Sequence, residues 1–308
     1  MSRMGDVLAG FHAAWEFESD SVLIRFERGI RAPKLFQALG ERCIPHEAIA
    51  AVTLTPGKRG TVVLHAVPRP GADPLMEAAA GQLKESGDPY RLVLPAERET
   101  LAEYYADELR AVLVPQDVRD DAGYPERYLV SAPEPPLQFK AYDGKASFDG
   151  ESVAFRWFWT GASSAKWKAG DQSFRVTDLS GVEWRSPEVF EGHLRLLHRE
   201  SSGVRPAQAD QDPASVVFGL GYGPVHESLP FAASVLAAVR ASGPAAVTGA
   251  GSAAAASAGS LPGAGARAAR PDPADIADRI RHLGELHKAG LVTDKEFTTK
   301  KAELLAEL

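Results

Sequence analysis

Cysteine is almost missing from this chain. Cys43 stands alone, which excludes an intrachain disulfide or a cage of cysteine thiolates and suits a reducing compartment. Cys43 precedes a predicted strand and is expected to pack as a small apolar residue. Long apolar runs are missing too. None approaches the roughly 20 residues that span a bilayer, and the uncharged stretch from Ala241 to Ala266 is almost entirely Ala, Gly, Ser and Pro. Met1 to Trp15 has neither the basic start nor the apolar core of a signal peptide, so a cytoplasmic location is expected. Metal-ligand spacing is also lacking. Histidines 12, 46, 65, 193, 198, 226, 282 and 287 form no HxH or HExxH pair. The run Gly219 to Gly223 has neither dinucleotide-fingerprint nor Walker spacing. No serine sits in a nucleophile elbow. No catalytic residue, metal ligand or cofactor is therefore assigned, and an enzyme is not expected. Excess positive charge is the last absence. The net charge of −7 favours solubility and gives no general attraction to nucleic acid, which is not an expected partner.

What is present is a repeat. Phe148-Asp149-Gly150-Glu151-Ser152-Val153, followed by Ala154-Phe155-Arg156-Trp157, reads as a strand, a tight turn and an alternating strand. The same phrase stands near the N-terminus as Phe17-Glu18-Ser19-Asp20-Ser21-Val22, then Leu23-Ile24-Arg25-Phe26. Ile44, Ile49 and Val52 match Phe174, Leu179 and Val182, and Asp88-Pro89 matches Asp212-Pro213, with an offset that stays near 130 and drifts where loops differ in length. A first module over 1–115 and a second over 137–240 follow, joined by a Pro- and Asp-containing linker, 116–136.

Each module reads as five or six short strands closed by a helix. In the first, strands are expected over Phe11–Phe17, Val22–Phe26, Ile44–Pro45, Ile49–Leu54, Thr61–Val67 and Tyr90–Leu94, and a loop with Gly71, Pro74, Gly81 and Gly87 precedes the last. The closing helix, about Ala96 to Leu113, gathers Leu101, Tyr104, Tyr105, Leu109, Val112 and Leu113 on one face. The second closing helix carries Phe231, Val235, Leu236 and Val239, with Pro230 in its first turn. The expected fold class is mainly β with capping helices: two tandem β-sandwich or barrel modules, each closed by a C-terminal helix, plus a C-terminal helical hairpin.

Residues 241–272 read as a flexible linker that cannot bury enough apolar surface to offset its ordering entropy. Residues 273–308 read as the hairpin. Ile276, Ile280, Leu283 and Leu286 fall at helical spacing, Gly290 stands at a C-terminal cap, and Thr293 with Glu296 makes a capping box. Phe297, Leu304 and Leu305 continue the apolar face. A hairpin this small lies below the roughly 40 residues that usually sustain a core alone. Its stripe of Ile276, Ile280, Leu283, Leu286, Phe297, Leu304 and Leu305 is therefore expected to cover a second copy or a protein partner.

The phrase from Leu283 to Phe297, continued by Lys300, Lys301, Leu304 and Leu305, resembles the SHOCT (short C-terminal) domain. The strands followed by one amphipathic helix resemble pleckstrin-homology-like (PH-like) domains. Together with Gly181-Val182-Glu183-Trp184 and Asp88-Pro89-Tyr90-Arg91-Leu92, they resemble an actinobacterial family with two tandem PH-like domains of unknown function before a SHOCT tail. That resemblance implies a fold and a domain order, and for the tail oligomerisation or partner contact. It implies no reaction.

One constellation points to a ligand. Trp157, Trp159, Lys166, Trp167 and Lys168 follow the second module's hairpin, and Arg28, Arg31 and Lys34 occupy the same place in the first. In the lipid-binding PH domains that the modules resemble, a basic loop between early strands grips anionic head groups by charge and hydrogen bonding, and Trp adds an interfacial anchor. The candidate anionic-ligand loop is Arg28, Arg31, Lys34, Lys166, Trp167 and Lys168, although Trp157 and Trp159 also alternate like inward-facing strand residues. The principal expectation is an uncharacterised non-enzymatic interaction or scaffold protein acting through its C-terminal hairpin. Peripheral binding of anionic lipid or another polyanion is the alternative, and an enzyme without recognisable catalytic residues the second.

Overall fold

The computed structural model describes residues 6–113, 125, 127–189, 191–199 and 208–243, with Thr298 and Lys301, both helical. The seven tail residues named above and the linker beyond Gly243 lie outside the described residues.

The first module is a four-stranded antiparallel meander followed by a three-stranded one. Strands β1 (Asp6–Ala9), β2 (Ala13–Phe17), β3 (Ser21–Phe26) and β4 (Glu41–Pro45) form the first sheet, in that order. Strands β5 (Ile49–Pro56), β6 (Thr61–Pro68) and β7 (Arg91–Pro95) form the second. Helix α3 (Glu99–Val112) closes the module. The second module repeats the plan with β8 (Leu137–Lys140), β9 (Gly144–Phe148), β10 (Ser152–Trp157) and β11 (Gln172–Arg175) in one sheet. Its second sheet holds β12 (Leu179–Arg185), β13 (His193–His198) and β14 (Ser215–Val217). A long helix, here α5 (Val225–Ala241), ends the module. Seven strands per module exceed the five or six read from sequence. The additional strand β1 pairs with β2 ahead of the first expected hairpin.

Alternation sets the register. Along β10, Val153, Phe155 and Trp157 face inward, and along β3 Val22, Ile24 and Phe26 do the same. In the second module's hairpin turn, Asp149 accepts hydrogen bonds from the Glu151 and Ser152 amides and from the Ser152 hydroxyl, at 2.8, 2.7 and 2.9 Å. This is the side-chain turn that makes Asp favourable there.

Two short helices replace expected loops. Helix α1 (Lys34–Leu39) stops at Gly40, whose φ of 67° a glycine adopts without strain. Its counterpart α4 (Ser164–Ala169) is capped by the Ser163 hydroxyl and stops at Gly170. The loop expected around Gly71 and Gly81 likewise contains α2 (Pro74–Ala79). Asp73 caps α2 by accepting from the Leu75 amide, and Pro74 takes the first position, where no donor is needed.

Several further expectations are corrected. Helix α3 buries Ala102, Tyr105, Ala106 and Leu109, leaving Leu101, Tyr104 and Val112 exposed. The two alanines let the helix sit close to the sheet and rotate the buried face. Cys43 is exposed, because it falls on the outward phase of β4 between buried Arg42 and Ile44. Pro230 lies in the second turn of α5, not the first, since the helix begins at Val225. Trp159 follows the end of β10 and is exposed, whereas Trp157 is buried.

Helix α5 joins the modules. Leu229, Phe231, Ala232, Ala233, Val235 and Val239 are buried in a core that includes Phe139, Phe148, Phe155 and Trp184 of the second module. Leu35, Leu75, Ala78 and Ala79 of the first module belong to that same core. Polar contacts fix the junction. Arg240 donates to the Gly71 carbonyl and to both Glu77 oxygens, each at 2.8 Å, while its guanidinium lies 3.7 Å from the centre of the Tyr128 ring. Gln82 donates to the Trp184 carbonyl and accepts from the Ser186 amide, so its side-chain amide prolongs the edge of β12. The second half of the linker packs as well: Leu129 and Val130 both donate to the Ala72 carbonyl. No helix among the described residues is long and apolar enough to cross a membrane.

Candidate functional site

The modules meet along a cleft of about 600 Å³. The first module contributes the segment entering α1, with Arg31, Lys34 and Leu35, and Leu83, Lys84, Ser86 and Gly87. The second contributes Pro187, Glu188, the run from Gly219 to Tyr222, and Pro224, Val225 and His226. Gly221 and Gly223 both have positive φ, 80° and 64°, so the chain turns tightly at this wall. Leu35 at the floor is buried, and Leu83 and Val225 are partly buried against the shared core. Lys84 pairs with Glu188 across the cleft at 3.2 Å. His226 lies 3.6 Å from Glu227. Burial, with Lys34 adding to it, holds the His226 imidazole below its ordinary value despite the attraction of Glu227.

The structure divides the six residues of the expected anionic-ligand loop. Arg31 and Lys34 enter the cleft. Arg28 is exposed, and Trp167 and Lys168 are exposed on α4; none of the three lines the cleft. Lys166 is a correction: it is fully buried. Its ammonium lies 2.5 Å from Asp143 and 2.7 Å from the Ser215 carbonyl, and 5.0 Å from the centre of the Trp157 ring. A buried ammonium needs such a cage, so Lys166 is spent on holding α4 to β14 and cannot meet a head group. Burial pushes the Lys166 ammonium down and the Asp143 carboxyl up from their ordinary values, against the attraction within the pair.

The first module seals a different charge at its centre. Arg42 donates to Asp73 at 2.7 Å and to the Tyr90 hydroxyl at 3.0 Å, and Tyr90 donates to Asp73 at 2.6 Å. Burial, reinforced by Asp73, raises Tyr90 well above the ordinary phenol value. Among the described residues no group of three or more His, Cys, Asp or Glu could hold a metal ion.

The cleft's second wall was not visible in sequence. Gly219 to Gly223 reads locally as a turn, and only the packing of α5 against α1 and α2 brings it opposite Arg31 and Lys34.

The architecture defines a duplicated, mainly β protein whose two modules share one buried helix. Residues 15–110 and 146–236 match the family described as domain of unknown function (DUF4429), one match per module. The matches cover more than half of the chain, and the protein belongs to that family. No curated protein matches it.

Proposed function

We propose that this is a non-enzymatic interaction or scaffold protein of the cytoplasm. In this reading two PH-like modules form one rigid body, and a SHOCT-like C-terminal hairpin mediates self-association. The observation that carries it is the shared helix: α5 completes the second module and lies against α1 and α2 of the first. A body fused in this way holds its surfaces in fixed relation, as a scaffold requires. The count of four plus three strands and a closing helix in each module supports the PH-like reading. The buried ionisable groups, Lys166 with Asp143 and Arg42 with Asp73 and Tyr90, are sealed in module cores and occupied with holding elements together. That placement favours a structural rather than a chemical use.

The experiment is light scattering at tens of micromolar protein, on wild type and on Leu283→Asp with Phe297→Asp. The reading expects an oligomer for wild type and a monomer with both β-modules folded for the variant. A monomer in both cases overturns self-association.

A further inference from the structure

We propose that the cleft between the modules binds a phosphate-bearing ligand, with Arg31 and Lys34 as its grip. Of the cleft's charged groups, Lys84 is neutralised by Glu188 at 3.2 Å. Arg31 and Lys34 have no hydrogen-bond or ion-pair partner among the described residues. Two uncompensated cations in one concavity, in a chain of net charge −7, focus a local positive potential. A phosphate monoester carries about −1.5 to −2 at pH 7, which matches two cations; a lone carboxylate would leave one unanswered. Arginine's planar fork and lysine's point charge are both suited to phosphate oxygens. The volume of about 600 Å³ falls within the roughly 300–1,000 Å³ of small-molecule sites. The apolar floor of Leu35, Leu83 and Val225 would receive the rest of such a ligand. The inference does not depend on self-association by the tail. A free phosphorylated small molecule and a phospholipid head group share this chemistry, and the test separates them.

Full-length protein is titrated with pyrophosphate at about 150 mM salt, where exposed long-range attraction is screened. In parallel it is mixed with vesicles of neutral lipid with and without phosphatidic acid. His226 supplies a local readout: it faces Lys34 and Glu227, so phosphate beside Lys34 raises its imidazole pKa, followed by NMR and assigned with His226→Gln. Saturable pyrophosphate binding with that rise is expected. Arg31→Glu with Lys34→Glu should weaken it about tenfold or more, the loss of one or two charge-assisted contacts. Arg31→Gln with Lys34→Gln should weaken it as well, which guards against misfolding of the charge-reversed protein. Lys168→Glu, exposed on α4 outside the cleft, should change it by less than about twofold. Acidic-vesicle binding displaced by pyrophosphate identifies a head group; pyrophosphate binding without vesicle binding identifies a free ligand. The proposal is overturned if neither probe binds, up to about 10 mM pyrophosphate, or if binding survives both double substitutions unchanged.

Discussion

Replacing Lys166 with Met tests the buried pair of the second module. The substitution removes the ammonium, leaves an apolar chain of similar length, and strands Asp143 and the Ser215 carbonyl. Asp143 keeps the Val217 amide, at 2.9 Å. Removing one partner of a buried ion pair costs about 3–5 kcal/mol. Asp143 can take up a proton, a direction in which burial already pushes it, so the lower end of that range applies. The repeat supplies a control. Lys166 and Phe36 both stand third in their helices, and where Lys166 lies over Trp157, Phe36 stacks on Phe26 at 4.6 Å. Lys166→Phe combined with Asp143→Asn imitates the first module's ring at that position and leaves no unpaired charge buried, since an uncharged Asn can still accept from the Val217 amide. It should recover most of the loss. Urea unfolding at pH 7, followed by tryptophan fluorescence, gives both stabilities. A loss below about 1 kcal/mol for Lys166→Met would refute the buried pairing, as would a double variant no more stable than the single one.

Other perturbations probe the junction and the turns. Arg240→Ala should cost about 1–2 kcal/mol, less than a fully buried charged contact because the side chain is partly exposed, and calorimetry should still show both modules melting together. Separate melting of the modules in wild type would contradict the shared core. Gly161→Ala should destabilise by about 1–3 kcal/mol, since its Cβ would collide with the Tyr142 carbonyl and the Asp143 backbone; an unchanged urea midpoint would count against that packing. Hydrogen bonds from Ser152 and Glu151 hold Asp149 below the usual carboxylate value. Its stabilising contribution is therefore present above about pH 4 and lost as pH falls through the folded-state value. The stability gap between wild type and Asp149→Ala should shrink in acid, and a widening gap would refute this. His226 has the opposite chemistry and a depressed value: its unfolded state binds more protons, so its penalty is full in acid and lifts as pH rises to about 6.5. His226→Gln should flatten that rise in a pH series of melting temperatures.

The repeat was legible because turn chemistry and strand alternation are local. Asp149 announces its hairpin by composition, and Val153, Phe155 and Trp157 alternate as a half-buried strand must. The short helices were less visible, since six residues give too little periodicity to distinguish α1 and α4 from a loop. For α2 a signal was present: Asp73 before Pro74 is a helix start. The junction was hidden because Ala232, Ala233 and Ser234 look neutral in sequence yet are buried together with their larger neighbours. Their sum is a helix apolar nearly all round, which is the pattern of an element enclosed on several sides. Lys166 was misplaced because a charged residue in a polar segment reads as exposed, and its partner Asp143 lies too far back in the chain for any local pattern to join them.

Because α5 walls both modules, the order of synthesis matters. The first module's strands and closing helix are complete in sequence by Val112, yet Leu35, Leu75, Ala78 and Ala79 lie in a core that is filled only once the chain reaches Val239. At about 5–20 residues per second, that leaves an apolar flank open on the emerging chain for roughly 6–25 s. Over that interval the open flank is the kind of transiently exposed apolar surface that makes a partly folded chain prone to aggregate. A message truncated before α5 would yield a sticky product rather than a half-size version of the protein.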